Sequence, residues 1–259
     1  MNLIIIIILA IVQGATEFLP ISSSGHLVLL YKIFNIDNNR ILLSVILHLA
    51  TLVSVVIYYR KSIIQLIKKP FCHTNIALII STIITCIIAI ILKSNIEDSF
   101  SGNYLSLGFV ITAIILLISQ ILSYPKQPFA HNITTLNISY PKSIFIGIAQ
   151  GLACFPGISR SGSTIASGLI LKCNKNEITE YSFLLSIPII IASTILEISE
   201  LSSTNFALTF SILELFVGFI TAIIVGILSI KCMTKLVSNQ KLYYFSFYLI
   251  IIAFVSSFV

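Results

Sequence analysis

Long unbroken apolar runs alternate along this chain with two apolar stretches that are cut in the middle. Six runs, at 41–59, 75–92, 104–122, 181–198, 210–230 and 242–259, consist almost wholly of Ile, Leu, Val, Phe, Ala and small polar residues. Each approaches the roughly 20 residues that an α-helix needs to cross a bilayer, so six transmembrane helices are expected. The other two stretches break. Residues 3–34 are interrupted by Pro20 and by Ser22-Ser23-Ser24-Gly25, and residues 144–171 by Pro156-Gly157 and a polar run from Ser159 to Thr164. Neither half of either stretch can span. Irregular backbone at membrane depth persists only where it is buried in protein or faces water, so both stretches predict re-entrant helix–loop–helix hairpins.

The two broken stretches resemble each other. Residues 13–26 read QGATEFLPISSSGH and residues 150–163 read QGLACFPGISRSGS; laid together without gaps they share Gln, Gly, Phe, Ile, two Ser and the last Gly. Each is followed by three long apolar runs. The chain is therefore expected to be an all-α polytopic membrane protein: one membrane domain of two repeats, about 1–123 and 141–259, each a hairpin plus three helices. Broken segments at matching places in two halves point to a membrane binding site between them.

Composition agrees. Of 259 residues, 57% are hydrophobic and only 9% charged, against about 25% charged in a soluble domain. The net charge of +6 does not argue for nucleic acid. The Lys and Arg lie in short loops, where they orient helices, and the cluster Arg60, Lys61, Lys68, Lys69 lacks the interleaved aromatics of single-strand binders. The five cysteines form no C-x-x-C pair and have no His at metal-ligand spacing, so free thiols are expected. The run from Leu3 to Val12 has signal-peptide length. No basic residue precedes it and it leads into Gln13, Gly14 and Glu17, so a cleaved leader is not expected.

Loop charges set an orientation. Arg60, Lys61, Lys68 and Lys69 are cytoplasmic by the positive-inside rule, as are Lys126, Lys142, Lys172, Lys175, Lys231, Lys235 and Lys241. The loops with Glu97 and Asp98 and with Glu197 and Glu200 are external. One loop dissents: Lys32 and Arg40 must be external, offset in part by Asp37. The first hairpin then enters from outside and the second from inside, so the repeats are inverted.

Only Glu17 and Arg160 bring formal charge to the broken motifs. An ionisable group at membrane depth costs at least about 2.5–3.5 kcal/mol, which marks it as functional, although a Glu–Arg pair could also serve to hold two hairpins together. Around Arg160, the hydroxyl- and glycine-rich turn with Ser159, Ser161 and Thr164 leads into a helix. Helix-start N–H groups, hydroxyls and a guanidinium fork make an anion cradle. Gln13 and Glu17, four apart on one helix face, offer oxygens for a hard divalent cation such as Mg²⁺ or Ca²⁺. Ser22, Ser23, Ser24 and His26 follow, supplying donors to phosphate, a candidate nucleophile and a proton carrier. His48, alone in the first long run, reads as structural.

With these motifs in view, the chain resembles the bacitracin-resistance type of undecaprenyl-diphosphate phosphatases. That family carries an E/Q-x-x-x-E signature running into P-x-S-S/T-G-H, here Gln13 to Glu17 and Pro20 to His26. It also carries P-G-x-S-R-S-x-x-T, here Pro156 to Thr164. The likeness covers nearly the whole chain. It implies hydrolysis of undecaprenyl diphosphate in the bacterial cell membrane. Glu17, His26, Ser23 and Arg160 would be catalytic, with Ser22, Ser24, Ser159, Ser161 and Thr164 on the diphosphate. Two positions depart: Gln13 stands where many members have Glu, and Ser44 where an acidic residue is usual, so a secondary polar contact is expected to be missing. The rival reading is a polyprenyl-phosphate flippase or transporter, since inverted repeats with broken helices are also transporter architecture. The sequence leaves a homodimer open.

Overall fold

A computed structural model describes residues 3–36, 40–100, 102, 104–123, 136–202 and 210–258. Asp37 and Lys126 lie outside the described residues. Twelve helices and no strand occur among those described. The first broken stretch forms α1 (Leu3–Thr16) and α2 (Ser23–Ile33), followed by α3 (Arg40–Tyr58), the short α4 (Arg60–Lys68), α5 (His73–Ile91), the short α6 (Lys93–Ser99) and α7 (Leu105–Leu122). The second forms α8 (Tyr140–Leu152) and α9 (Arg160–Ile170), followed by α10 (Lys175–Ser202), α11 (Ile212–Ser238) and α12 (Tyr243–Ser256).

Helix ends follow local chemistry. Pro141 sits in the first turn of α8, where its missing N–H costs nothing. Ser211 and Glu214 close a reciprocal capping box on α11. Five helices, α3, α5, α7, α10 and α11, are long and apolar enough to cross a membrane. The sixth expected span is shorter: α12 has 14 residues, about 21 Å at 1.5 Å per residue. A turn with Gln240 at φ 56° delays its start to Tyr243.

Helix α5 buries small and polar residues and turns its large apolar ones outward. On α5 the buried face carries Thr74, Ala77, Ser81 and Thr85, while Ile79, Ile83, Ile87 and Ile90 are exposed. Small residues inside let backbones approach, and large apolar ones face lipid. The approach is close at α8, where a Cβ on Gly147 would lie 2.7 Å from the Ser81 carbonyl oxygen. At α1, a Cβ on Gly14 would lie 2.7 Å from the Ala222 carbonyl oxygen of α11.

Packing crosses between the halves of the chain. The first arm of each broken stretch lies on a long helix of the other half: α1 on α11, and α8 on α5. Helix α3 packs on α10, and α7 on α12. Polar contacts tie opposite ends of α10 to the region of α3. Ser44 Oγ donates to Glu197 Oε1 at 2.9 Å, and at the other end Ser62 Oγ of α4 donates to Glu180 Oε1 at 2.5 Å. Helices α3 and α10 are therefore antiparallel.

Candidate active site

Both breaks use the same device to restart a helix. Ser22 caps α2, its Oγ accepting from the Gly25 N–H at 3.3 Å. Ser159 caps α9, its Oγ accepting from the Gly162 N–H at 3.0 Å. A capping oxygen satisfies one of the N–H groups a helix start leaves open. The turns bend through different residues: Ser22 at φ 68° in the first, Gly157 at φ 88° in the second. A non-glycine residue there is uncommon and is held by its surroundings. For Ser22 that support includes the other turn, because the Gly157 N–H also donates to Ser22 Oγ at 3.1 Å.

The turns meet at several points. Ser161 Oγ donates to the Leu19 carbonyl at 3.1 Å. A Cβ on Gly25 would lie 3.0 Å from Gly157 Cα, so only glycine permits this approach. At the junction Arg160 Nη2 donates to Glu17 Oε1. Glu17 Oε2 accepts from Ser23 Oγ at 2.5 Å and from Gln13 Nε2 at 3.0 Å. Glu17 and Gln13 are buried, and Arg160 keeps 17% of its side-chain surface. Arg160 Nη1 is buried without a partner, as is Gln13 Oε1. The pair thus presents one unused donor arm in a site that otherwise satisfies its carboxylate.

The remaining expected residues are placed unevenly. Ser24 Oγ lies 3.4 Å from Ser22 Oγ. Ser159 and Ser161 hydroxyls are 3.3 Å apart, and Thr164 Oγ1 is bonded to the Arg160 carbonyl at 2.9 Å and to Ser182 Oγ at 2.5 Å. These three hydroxyls sit at the second turn but bond within the fold. His26 is turned away from the carboxylate. Its Nδ1–H donates to the Ser22 carbonyl at 2.8 Å, and its Nε2 accepts from the Tyr248 hydroxyl at 2.7 Å. Its ring stacks on Tyr248 and meets Phe109 edge-on.

His48, expected to be structural, stands beside the carboxylate, with Nε2 3.9 Å from Glu17 Oε2. Its Nδ1 bonds the Ser44 carbonyl at 2.9 Å and lies 4.0 Å from Glu197 Oε2. The polar contact expected to be missing at Ser44 is restored from the other half, by Glu197 of α10. The signal that could have found His48 was its ionisable ring inside an apolar run. Tyr248 left no such signal. For a divalent cation, Gln13 Oε1 is unpaired, whereas both Glu17 oxygens already accept hydrogen bonds that an ion would share or displace. No cluster of three or more His, Cys, Asp or Glu suited to a metal occurs among the described residues. The donor set suits a hard cation that takes most of its shell from phosphate oxygens and water.

An all-helical multi-pass membrane protein in which two interrupted helices meet over a buried carboxylate–guanidinium pair is the class this fold and site define. The family described as bacitracin resistance protein BacA matches residues 6–255, and the chain belongs to that family. Among similar proteins are undecaprenyl-diphosphatases of Carboxydothermus hydrogenoformans, 38% identical over 96% of this chain and 94% of the relative, and of Thermosipho africanus, 38% identical over 98% of each. Another, from Methanosphaera stadtmanae, is 37% identical over 96% of this chain and 95% of the relative.

Proposed function

We propose that this chain hydrolyses undecaprenyl diphosphate to undecaprenyl phosphate and inorganic phosphate. It thereby returns the lipid carrier to peptidoglycan synthesis and protects against bacitracin. Its family and the activity named for its relatives carry the reaction. The observation that carries the site is Glu17, held at once by Arg160 and by Ser23 from opposite turns. A hydroxyl within 2.5 Å of a carboxylate is a nucleophile–base pair. Ser23 Oγ attacks the terminal phosphorus, its proton passes to Glu17, and the bond to the leaving undecaprenyl phosphate breaks. Glu17 hands that proton to the departing undecaprenyl phosphate; water then gives a proton to Glu17 as it attacks the phosphoserine, and the same proton returns to Ser23 Oγ as the P–O bond breaks and phosphate leaves. Arg160, through its unpartnered Nη1, takes the diphosphate and balances the charge that develops on the leaving group. The N–H groups at the starts of α2 and α9 add to that field.

His26, bonded to Ser22 and Tyr248, fixes the first turn, while His48 stands nearer the proton chemistry. If a Mg²⁺ or Ca²⁺ ion binds, Glu17 and Gln13 would hold it, and it would supply Lewis-acid neutralisation of the phosphate oxygens.

The finer architecture is part of the same reading: two re-entrant hairpins and six spans in two inverted repeats, about 1–123 and 141–259, in the bacterial cell membrane. The crossed packing of α1 on α11 and α8 on α5 supports it, as does the shared Ser-cap device. Two features separate this reading from a flippase: the nucleophile–base pair and the activity named for the relatives. Phosphate release by detergent-solubilised protein is the test. An enzyme releases phosphate from undecaprenyl diphosphate without a sealed bilayer; protein that moves the lipid across vesicles but releases none in detergent would be a transporter.

A further inference from the structure

A cavity of about 700 Å³ lies behind the second turn, between α6 and α7 on one side and α8 and α9 on the other. Its lining is mainly apolar. From α7 it takes Leu107, Ile111 and Ile115, and from α9 it takes Ser163, Ser167 and Ile170. These α9 positions continue the face that Arg160 begins, at i+3, i+7 and i+10.

The matching residue of the first half has a different neighbour. His26, the counterpart of Ser163, is covered by Tyr248 of α12 through a 2.7 Å hydrogen bond and a stacked ring. Ser163 is 4% exposed, and its Oγ has no hydrogen-bond partner. A buried hydroxyl left unmatched is destabilising, and a bound polar atom would relieve it.

We infer that this cavity receives the first isoprene units of the substrate's polyprenyl chain, with the diphosphate on Arg160 and the phosphoester oxygen beside Ser163. The inference rests on the proposed reaction and adds where the tail goes. A head anchored at Arg160 is followed along α9 by one unsatisfied hydroxyl, Ser163, the Ser167 hydroxyl being bonded to the Thr164 carbonyl, and it faces the apolar wall of Leu107, Ile111 and Ile115 on α7. That order matches a prenyl diphosphate: charged head, one ester oxygen, hydrocarbon. A bilayer acyl chain entering without its head would leave Ser163 unsatisfied.

The test compares phosphate release from undecaprenyl diphosphate and from methyl diphosphate, which keeps the head and the ester oxygen but has no isoprene unit. Ile111→Phe and Ser167→Leu fill the cavity from opposite walls, so one misfolded variant leaves the other to decide. The expected result is a kcat/KM about tenfold lower for the long substrate, through KM, with the short substrate within about twofold of wild type. Equal losses on both substrates, or no loss on either, would overturn the inference. So would a loss that disappears when phospholipid is stripped from the preparation, because the cavity would then belong to bilayer lipid. A wild-type protein that releases phosphate from neither substrate would defeat the proposed reaction itself, a different outcome.

Discussion

The first and second turns share a scaffold and differ in chemistry. Both follow a Gln-Gly pair on a helix that packs against the other half, and both restart on a serine whose oxygen caps a glycine N–H three residues on. The residues common to the two copies are the ones doing this structural work. The residues proposed for the chemistry lie where the two turns disagree: Glu17 against Cys154, Ser23 against Arg160, His26 against Ser163. Neither turn has both a base and a cation. Each supplies one, and the meeting of the turns joins them. The two similar helix starts thus meet at one Glu17–Arg160 pair, with Tyr248 packed on His26 and a cavity beside Ser163.

The largest way to break this comparison is at the carboxylate. Glu17→Gln keeps the shape and the Ser23 contact but removes the base, so phosphate release should fall about 10²–10⁴-fold in folded protein. The variant also leaves Arg160 without its counter-charge, so a lower melting temperature should accompany the loss. Turnover near wild type would remove Glu17 from the mechanism. Next is Arg160→Lys, which keeps charge but loses the planar fork that can hold Glu17 and phosphate together. A fall of about a hundredfold in kcat/KM is expected with expression retained. If Lys is tolerated and only neutral residues fail, Arg160 acts as a point charge.

A smaller effect sharpens the division between the two histidines. His48→Asn should lower turnover about tenfold, the worth of one contact to a charged group at ~1.5 kcal/mol, without a change in melting temperature. The opposite is expected of His26→Asn, which breaks the bond to Tyr248 and should lower thermal stability more than it slows the chemical step. Reversal of that pattern would return the proton role to His26. Smallest of all should be Cys154→Ala. Although Cys154 is the counterpart of Glu17, it donates only a weak 3.8 Å S–H bond to the Gln150 carbonyl, and activity within about twofold of wild type is expected. A large loss would show that the second turn also carries chemistry at that position.

Much of the fold was readable because its signals are local. The run at 41–59 became α3 at Arg40–Tyr58, and the two breaks fell where Pro, Gly and Ser interrupt apolar residues. Apolar run length and helix-start chemistry need no knowledge of distant contacts. The pairing of Glu17 with Arg160 was also foreseeable, since they are the two charges in the motifs. What could not be read depends on how the halves pack. Glu197 reaches Ser44 from 153 positions away, and Tyr248 reaches His26 from 222. His48 lies beside Glu17 because α3 passes the first turn, a fact that no spacing in the chain encodes.

The claim that two turns make one site is tested most directly by a double-mutant cycle between them, reading phosphate release from undecaprenyl diphosphate by Glu17→Gln, Arg160→Gln and the double variant. Groups that act as a unit show strongly non-additive losses. The composite site predicts that the double variant is no slower than the worse single variant. Losses that multiply, so that each residue contributes independently of the other, would contradict it.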